Sequence, residues 1–143
     1  MRSLSRLGFV TLMAALVTVL ATGGSVIAHP TDLDVDPTGD LNSPSRTTAA
    51  VAGTIVCTAG EDATIKVKIF QSVGRLLNIG LGTVAVVCNG AIQTWGPFSV
   101  AAIPGLKFQP GPSTVLVEAT TAVGGVPDAG GTMQIGARLN LTP

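Results

Sequence analysis

The sequence predicts an all-β protein, an immunoglobulin-like β-sandwich of six to seven short strands with one disulfide. A small β-barrel is the alternative closure of the same strands. Three observations carry this reading. The only two cysteines each end a β-rich run, Thr54-Ile55-Val56-Cys57 and Thr83-Val84-Ala85-Val86-Val87-Cys88. Apolar and polar residues alternate with a period of two in several other runs, as in strands with one buried and one wet face. Clusters of Gly, Pro and Asn separate the runs, and no stretch after residue 28 sustains a helical period.

The N-terminus reads as an address. Residues 1–6 carry two arginines and no acid, residues 7–20 form an apolar run of 14, and Val26-Ile27-Ala28 offers small residues for cleavage. This is the layout of a secretory signal peptide over residues 1–28. The run is shorter than the roughly 20 residues a spanning helix needs. No cysteine stands directly after it at the cleavage site, which excludes a bacterial lipoprotein anchor, so release without a membrane attachment is expected. From His29 onward 6 basic residues face 8 acidic ones, a net charge of 6 − 8 = −2, and the basic residues are scattered. Nucleic-acid binding needs a clustered positive footprint and is excluded.

Residues 29–50 hold three prolines and four aspartates with few apolar side chains, the composition of an acidic, disordered tail preceding a domain at 51–143. Asp32, Asp34 and Asp36 match positions 1, 3 and 5 of an EF-hand-type loop, and with Asp40 they are the calcium candidates of the chain. The match breaks at the sixth position, which is Pro37 instead of Gly, and at the twelfth, which is Ser43 instead of Glu. A solvated tail is the better reading. Cleavage after Ala28 places His29 at the terminus, where amine and imidazole together suit copper. A histidine brace needs a second histidine, and the chain has only one. No cofactor is expected.

Residues 51–57 and 81–88 are apolar on both faces, as central strands are. Residues 63–70 alternate, with Ile65, Val67 and Ile69 opposed to Thr64, Lys66 and Lys68. Residues 71–77, holding Gly74-Arg75, read as a turn. Asn89-Gly90 is a tight-turn signal that returns the chain from Cys88 into 91–95. Residues 97–103 give a short strand closed by Pro104-Gly105, and Pro110-Gly111-Pro112 marks a loop. Residues 114–121 alternate again; 124–131 form a turn region. In 132–141, Met133, Ile135, Ala137, Leu139 and Leu141 share one face. Cys57 and Cys88, 88 − 57 = 31 residues apart, are expected to bridge in an oxidising compartment. Closing such a loop stabilises the fold by roughly 3–4 kcal/mol in the chain-entropy model. A zinc site would need four ligands. Trp95, the single tryptophan, reads as a core plug ahead of a ligand-stacking ring.

The set Gly53-Thr-Ile-Val-Cys57, 67–71 with Gly74-Arg75, Val86-Val-Cys88-Asn-Gly90, Trp95 and Phe108-Gln-Pro-Gly111 resembles small secreted actinobacterial domains of unknown function. The resemblance covers about residues 50–143 and implies an immunoglobulin-like sandwich but no activity. Size and the Gly/Ala/Val/Thr-rich composition also resemble the enediyne-carrier apoproteins. Those have two disulfides closing short loops, so their ligand is not carried over.

The function expected from these readings is a secreted, non-enzymatic extracellular or cell-envelope module, protein-binding or structural. Its partner would be an unidentified extracellular protein or envelope component, met by loops at 71–80 or 104–112. The alternative is a small-ligand carrier or an inhibitor of a secreted hydrolase, for which an apolar pocket near Trp95 would speak. Catalysis has little to stand on. A serine triad needs a histidine placed by the fold, and a bridged cysteine is no nucleophile. Carboxylate chemistry would have to come from Glu61, Asp62, Glu118 and Asp128. Asn140-Leu141-Thr142 fits a glycosylation sequon by chance, given the bacterial look of the signal.

Overall fold

The computed structural model describes residues 30–143; the predicted signal peptide and His29 lie outside them. Eight strands follow in order: β1 (Asp32–Val35), β2 (Thr38–Leu41), β3 (Thr48–Val56), β4 (Asp62–Val73), β5 (Leu76–Val87), β6 (Ile92–Ala102), β7 (Gly111–Val123) and β8 (Val126–Thr142). Among the described residues there is no helix, so the all-β expectation holds. The period-2 runs are the reason. In β4, Ala63, Ile65, Val67 and Ile69 are buried while Thr64, Lys66 and Lys68 face out, and β7 answers with Val115, Val117 and Ala119.

All pairings are antiparallel except β2 with β8. The ladder runs β3-β2-β8-β7-β4-β5-β6 and returns to β3, a closed ring of seven strands, with β1 laid along β3 beside β2. β1 covers Gly53–Val56 and β2 covers Ala49 and Ala50, both on the side of β3 away from β6. The closure between β5 and β6 is thin, resting on Gly80 with Ala102 and Leu81 with Ala101.

Two aromatic side chains fill the interior, Trp95 and Phe108, each at most 1% exposed. Each sits against a glycine that no other residue could replace without displacement. A Cβ at Gly53 would collide with the Trp95 ring and the Asp34 carbonyl oxygen; one at Gly80 would collide with Phe108 Cζ. Trp95 also donates its indole N–H to the Thr54 carbonyl at 3.1 Å, and Phe98 meets it edge-on with ring centroids 6.0 Å apart.

Three local expectations are corrected. The acidic segment is not a disordered tail, because residues 32–41 are strands of the ring and its flank. Their aspartates occupy the outward positions, while Leu33, Val35 and Leu41 turn inward and are each 6% exposed. Burying each such side chain is worth about 1.5–3 kcal/mol, enough to hold a short acidic segment on the sheet. The domain therefore starts upstream of residue 51. Second, residues 91–95 and 97–103 form one strand, β6, with Gly96-Pro97 at an irregularity where its register with β3 shifts between Val51 and Gly53. Third, the Asn89-Gly90 turn does not make a tight hairpin. β5 leads into it from beside β4 and β6 leaves it beside β3, the two meeting only at their far ends.

Candidate functional site

The chain order brings three connections to one end of the ring: residues 42–47 between β2 and β3, the β4–β5 hairpin tip at 73–76, and residues 103–110 between β6 and β7. Residues 71–80 and 104–112, the two stretches expected to carry contacts, are thus neighbours. The long connection at 103–110 has no strand of its own, so its backbone is satisfied by side chains. Gln71, 3% exposed, donates Nε2 to the Gln109 carbonyl at 2.7 Å and accepts the Gln109 N–H on Oε1 at 2.8 Å. Asn78 donates Nδ2 to the Lys107 carbonyl. Arg46 donates Nη1 to Gln109 Oε1 at 3.0 Å, and its own carbonyl accepts the Phe108 N–H at 2.9 Å. With Phe108 sealed below, the loop is a fixed platform.

What the platform presents is apolar and cationic. Leu76 is 66% exposed, Leu77 52% and Ile103 40%. Arg75 and Lys107 are exposed and Arg46 half-buried. The three connections contain no acid; the nearest, Asp40 at the end of β2, accepts the Thr142 hydroxyl at 2.8 Å. A shallow depression beside the tip, lined by Phe70, Ser72, Leu77, Pro112, Thr114 and Arg138, continues the same character down the outer face.

The opposite end differs in sign. There Cys57 and Cys88 form the disulfide, S–S 2.01 Å and Cα–Cα 5.4 Å. The bridged segments exchange backbone bonds, Gly90 N–H to the Cys57 carbonyl and Gly60 N–H to the Cys88 carbonyl. Asp32 at the start of β1, Glu61, Asp62 and Asp128 lie at this end, whose connections hold no Lys or Arg. Val87, Ile92, Val123 and Val126 are exposed here too. Charge, not apolar exposure, therefore distinguishes the two ends.

The remaining candidates are dispersed. Asp32 and Asp34 lie on the outer side of β1, about 7 Å apart along the strand, and Asp36 follows beyond it. Asp34 accepts the Val35 N–H, and Asp40 belongs to β2. Among the described residues no three His, Cys, Asp or Glu side chains gather into a metal-binding group. Glu61 and Asp62 face opposite sides, Glu61 being 2% exposed. Glu118 lies opposite Lys66, four residues along β4 from Asp62. That is about 13 Å at strand rise, wider than the ~5–9.5 Å of glycosidase carboxylate pairs. The Trp95 ring, 1% exposed, offers no face to a ligand. No protein-family model matches the chain, and no curated protein does.

The sequence did not flag Gln71, Asn78 or Gln109 as the fasteners of the platform. For the two in strands the only signal is a buried phase, Gln71 continuing the inward series of Ile65, Val67 and Ile69, while Gln109, in a loop, has none.

Proposed function

We propose that the protein is a secreted, non-enzymatic module that binds an extracellular protein or a cell-envelope component through the cationic, apolar loop end. One observation carries the reading: a rigid platform exposes Leu76, Leu77 and Ile103 among Arg75, Lys107 and Arg46, with no acid in its loops. Exposed apolar side chains ringed by one sign of charge are the anatomy of a contact surface. Export is supported by the basic, apolar and small-residue order of residues 1–28 and by the disulfide. Among the described residues no helix is long and apolar enough to cross a membrane. A non-enzymatic role is supported by the bridged cysteines and by the ~13 Å between Glu118 and Asp62 along the sheet.

The scaffold we read as an immunoglobulin-like sandwich, in keeping with the resemblance to small secreted actinobacterial domains. Support comes from the split first strand, whose β1 half pairs antiparallel with β3 while its β2 half pairs parallel with β8. The ring's two thinnest seams, two rungs each between β5 and β6 and between β2 and β3, would divide it into two facing sheets, β1-β3-β6 and β2-β8-β7-β4-β5.

The test is co-sedimentation of the exported chain with envelope material of the producing cell. Saturable binding is expected, and the double variant Arg75→Glu/Lys107→Glu should lose at least about tenfold in affinity, 1.4 kcal/mol. Equal binding by wild type and double variant would sink the proposal.

A further inference from the structure

Between β5 and β6 the ring is nearly open. Beyond Gly80–Ala102 and Leu81–Ala101 the ladder ends, and residues 82–87 of β5 pair only with β4, while β6 follows β3. In an antiparallel strand alternate residues aim both backbone groups to the same side. The Ile79 carbonyl accepts the Ile103 N–H on the β6 side, so Leu81, Thr83, Ala85 and Val87 aim that way as well. Leu81 is used by Ala101. The Val87 carbonyl accepts Gln93 Nε2 at 2.7 Å. The N–H and C=O groups of Thr83 and Ala85, both exposed residues, are left without a ladder partner along this edge.

Two further features set this edge apart. It is unguarded: Gly82-Thr83-Val84-Ala85-Val86-Val87 holds no charge and no proline, and its register with β4 is unbroken. Natural edges are normally blunted by charge, proline, a bulge or brevity. The other free edges here are. β1 is four residues long and carries Asp32 and Asp34, and β6 carries Pro97 mid-strand. The edge also already accepts an amide. Gln93 Oε1 takes the Asn89 N–H at 2.8 Å while its Nε2 meets Val87, as a peptide group of a neighbouring strand would.

The geometry points to β5 as a strand-pairing edge whose occupant is a second copy of this chain, antiparallel about a two-fold axis near Ala85. Ala85 then faces Ala85 and Thr83 faces Val87 of the other copy, the Gln93 amide giving way to the new strand. A second copy fits better than a foreign peptide, because pairing β5 with itself covers both free edges at once. A foreign strand would only move the free edge outward by one strand. Charge agrees with this. Lys66 and Lys68 on β4 are separated from those of the other copy by three strand spacings, about 14 Å, beyond the ~8 Å screening length of physiological salt. This surface is separate from the loop end, so it stands whether or not that end binds a partner.

The experiment is sedimentation of the exported chain, disulfide intact, over a concentration series, with amide exchange followed by NMR at both extremes. A concentration-dependent dimer is expected, with the Thr83 and Ala85 amides exchanging more slowly in it. Ala85→Lys, and separately the pair Thr83→Lys/Val87→Lys, places like charges directly opposite one another across the axis at exposed positions and should leave only monomer over the same range. Circular dichroism and dilute melting matching the wild type establish that these variants fold. Leu76→Ser at the opposite end should keep the dimer. A chain that stays monomeric throughout, or a dimer that survives both lysine variants, would overturn the proposal. So would slow exchange of Thr83 and Ala85 in a monomer, or slow exchange that arises only on adding an extended peptide.

Discussion

Single residues at two places decide whether this chain closes. Gly53 lets β1 and Trp95 approach β3 from its two edges at the same point, because the space of a side chain is already filled by the ring and by the Asp34 carbonyl. Gly53→Ala should cost about 2–3 kcal/mol as an overpacked core site. Chemical denaturation followed by the single tryptophan measures this directly; an unchanged midpoint would contradict the packing described. The disulfide is the second place. Cys57→Ser/Cys88→Ser reopens a 31-residue loop in the unfolded chain, and the expected loss is about 3–4 kcal/mol. Thermal unfolding with and without reductant reads the same quantity on the unmodified protein. The pairing was legible from the sequence because both cysteines end β-rich runs. The burial of Phe108 was not, because a loop residue between Pro-Gly signals has no periodicity to betray which way it points.

Elements were legible where alternation is long and illegible where composition masks it. β4, β7 and β8 announce themselves by period two. β1 and β2 do not, because four aspartates in ten residues outweigh Leu33, Val35 and Leu41 in any compositional reading. The alternation was nevertheless present, with acids outward and aliphatics inward. Removing residues 30–36 should uncover the β3 edge from Gly53 to Val56 and one side of the Trp95 seat. A lower melting point and a red-shifted tryptophan emission are the expected outcome. An unchanged emission maximum would mean that β1 does not seal that side. The loop at 103–110 behaves as an element in its own right, held by Gln71, Asn78 and Arg46 in the place of a strand. Gln71→Ala strands the half-buried Gln109 N–H and carbonyl, and leaving them unsatisfied costs about 1 kcal/mol, the low end of the range for a buried group. Hydrogen exchange should show the Gln109 amide speeding up while the β4–β7 ladder keeps its protection.

At the scale of the whole molecule the relevant quantity is the separation of charge rather than its sum. From His29 on, the 6 cations and 8 anions give −2, which by itself predicts repulsion from an anionic matrix at neutral pH. The fold places Arg46, Arg75 and Lys107 at one end and Asp32, Glu61, Asp62 and Asp128 at the other. Cations that are scattered in sequence become a cluster only because hairpin tip and long loop meet across Gln71–Gln109. Screening acts over about 8 Å at physiological ionic strength, so a surface approaching the basic end senses that end and little of the other. The chain from His29 onward should therefore be retained on a sulfonate column at neutral pH in low salt despite its negative sum. Arg75→Glu/Lys107→Glu should pass straight through. Asp62→Asn/Asp128→Asn makes the sum less negative by two but leaves the basic end as it was, so its elution should move little. If elution instead tracks net charge across the three proteins, the charge separation described here does not govern how the molecule meets a surface.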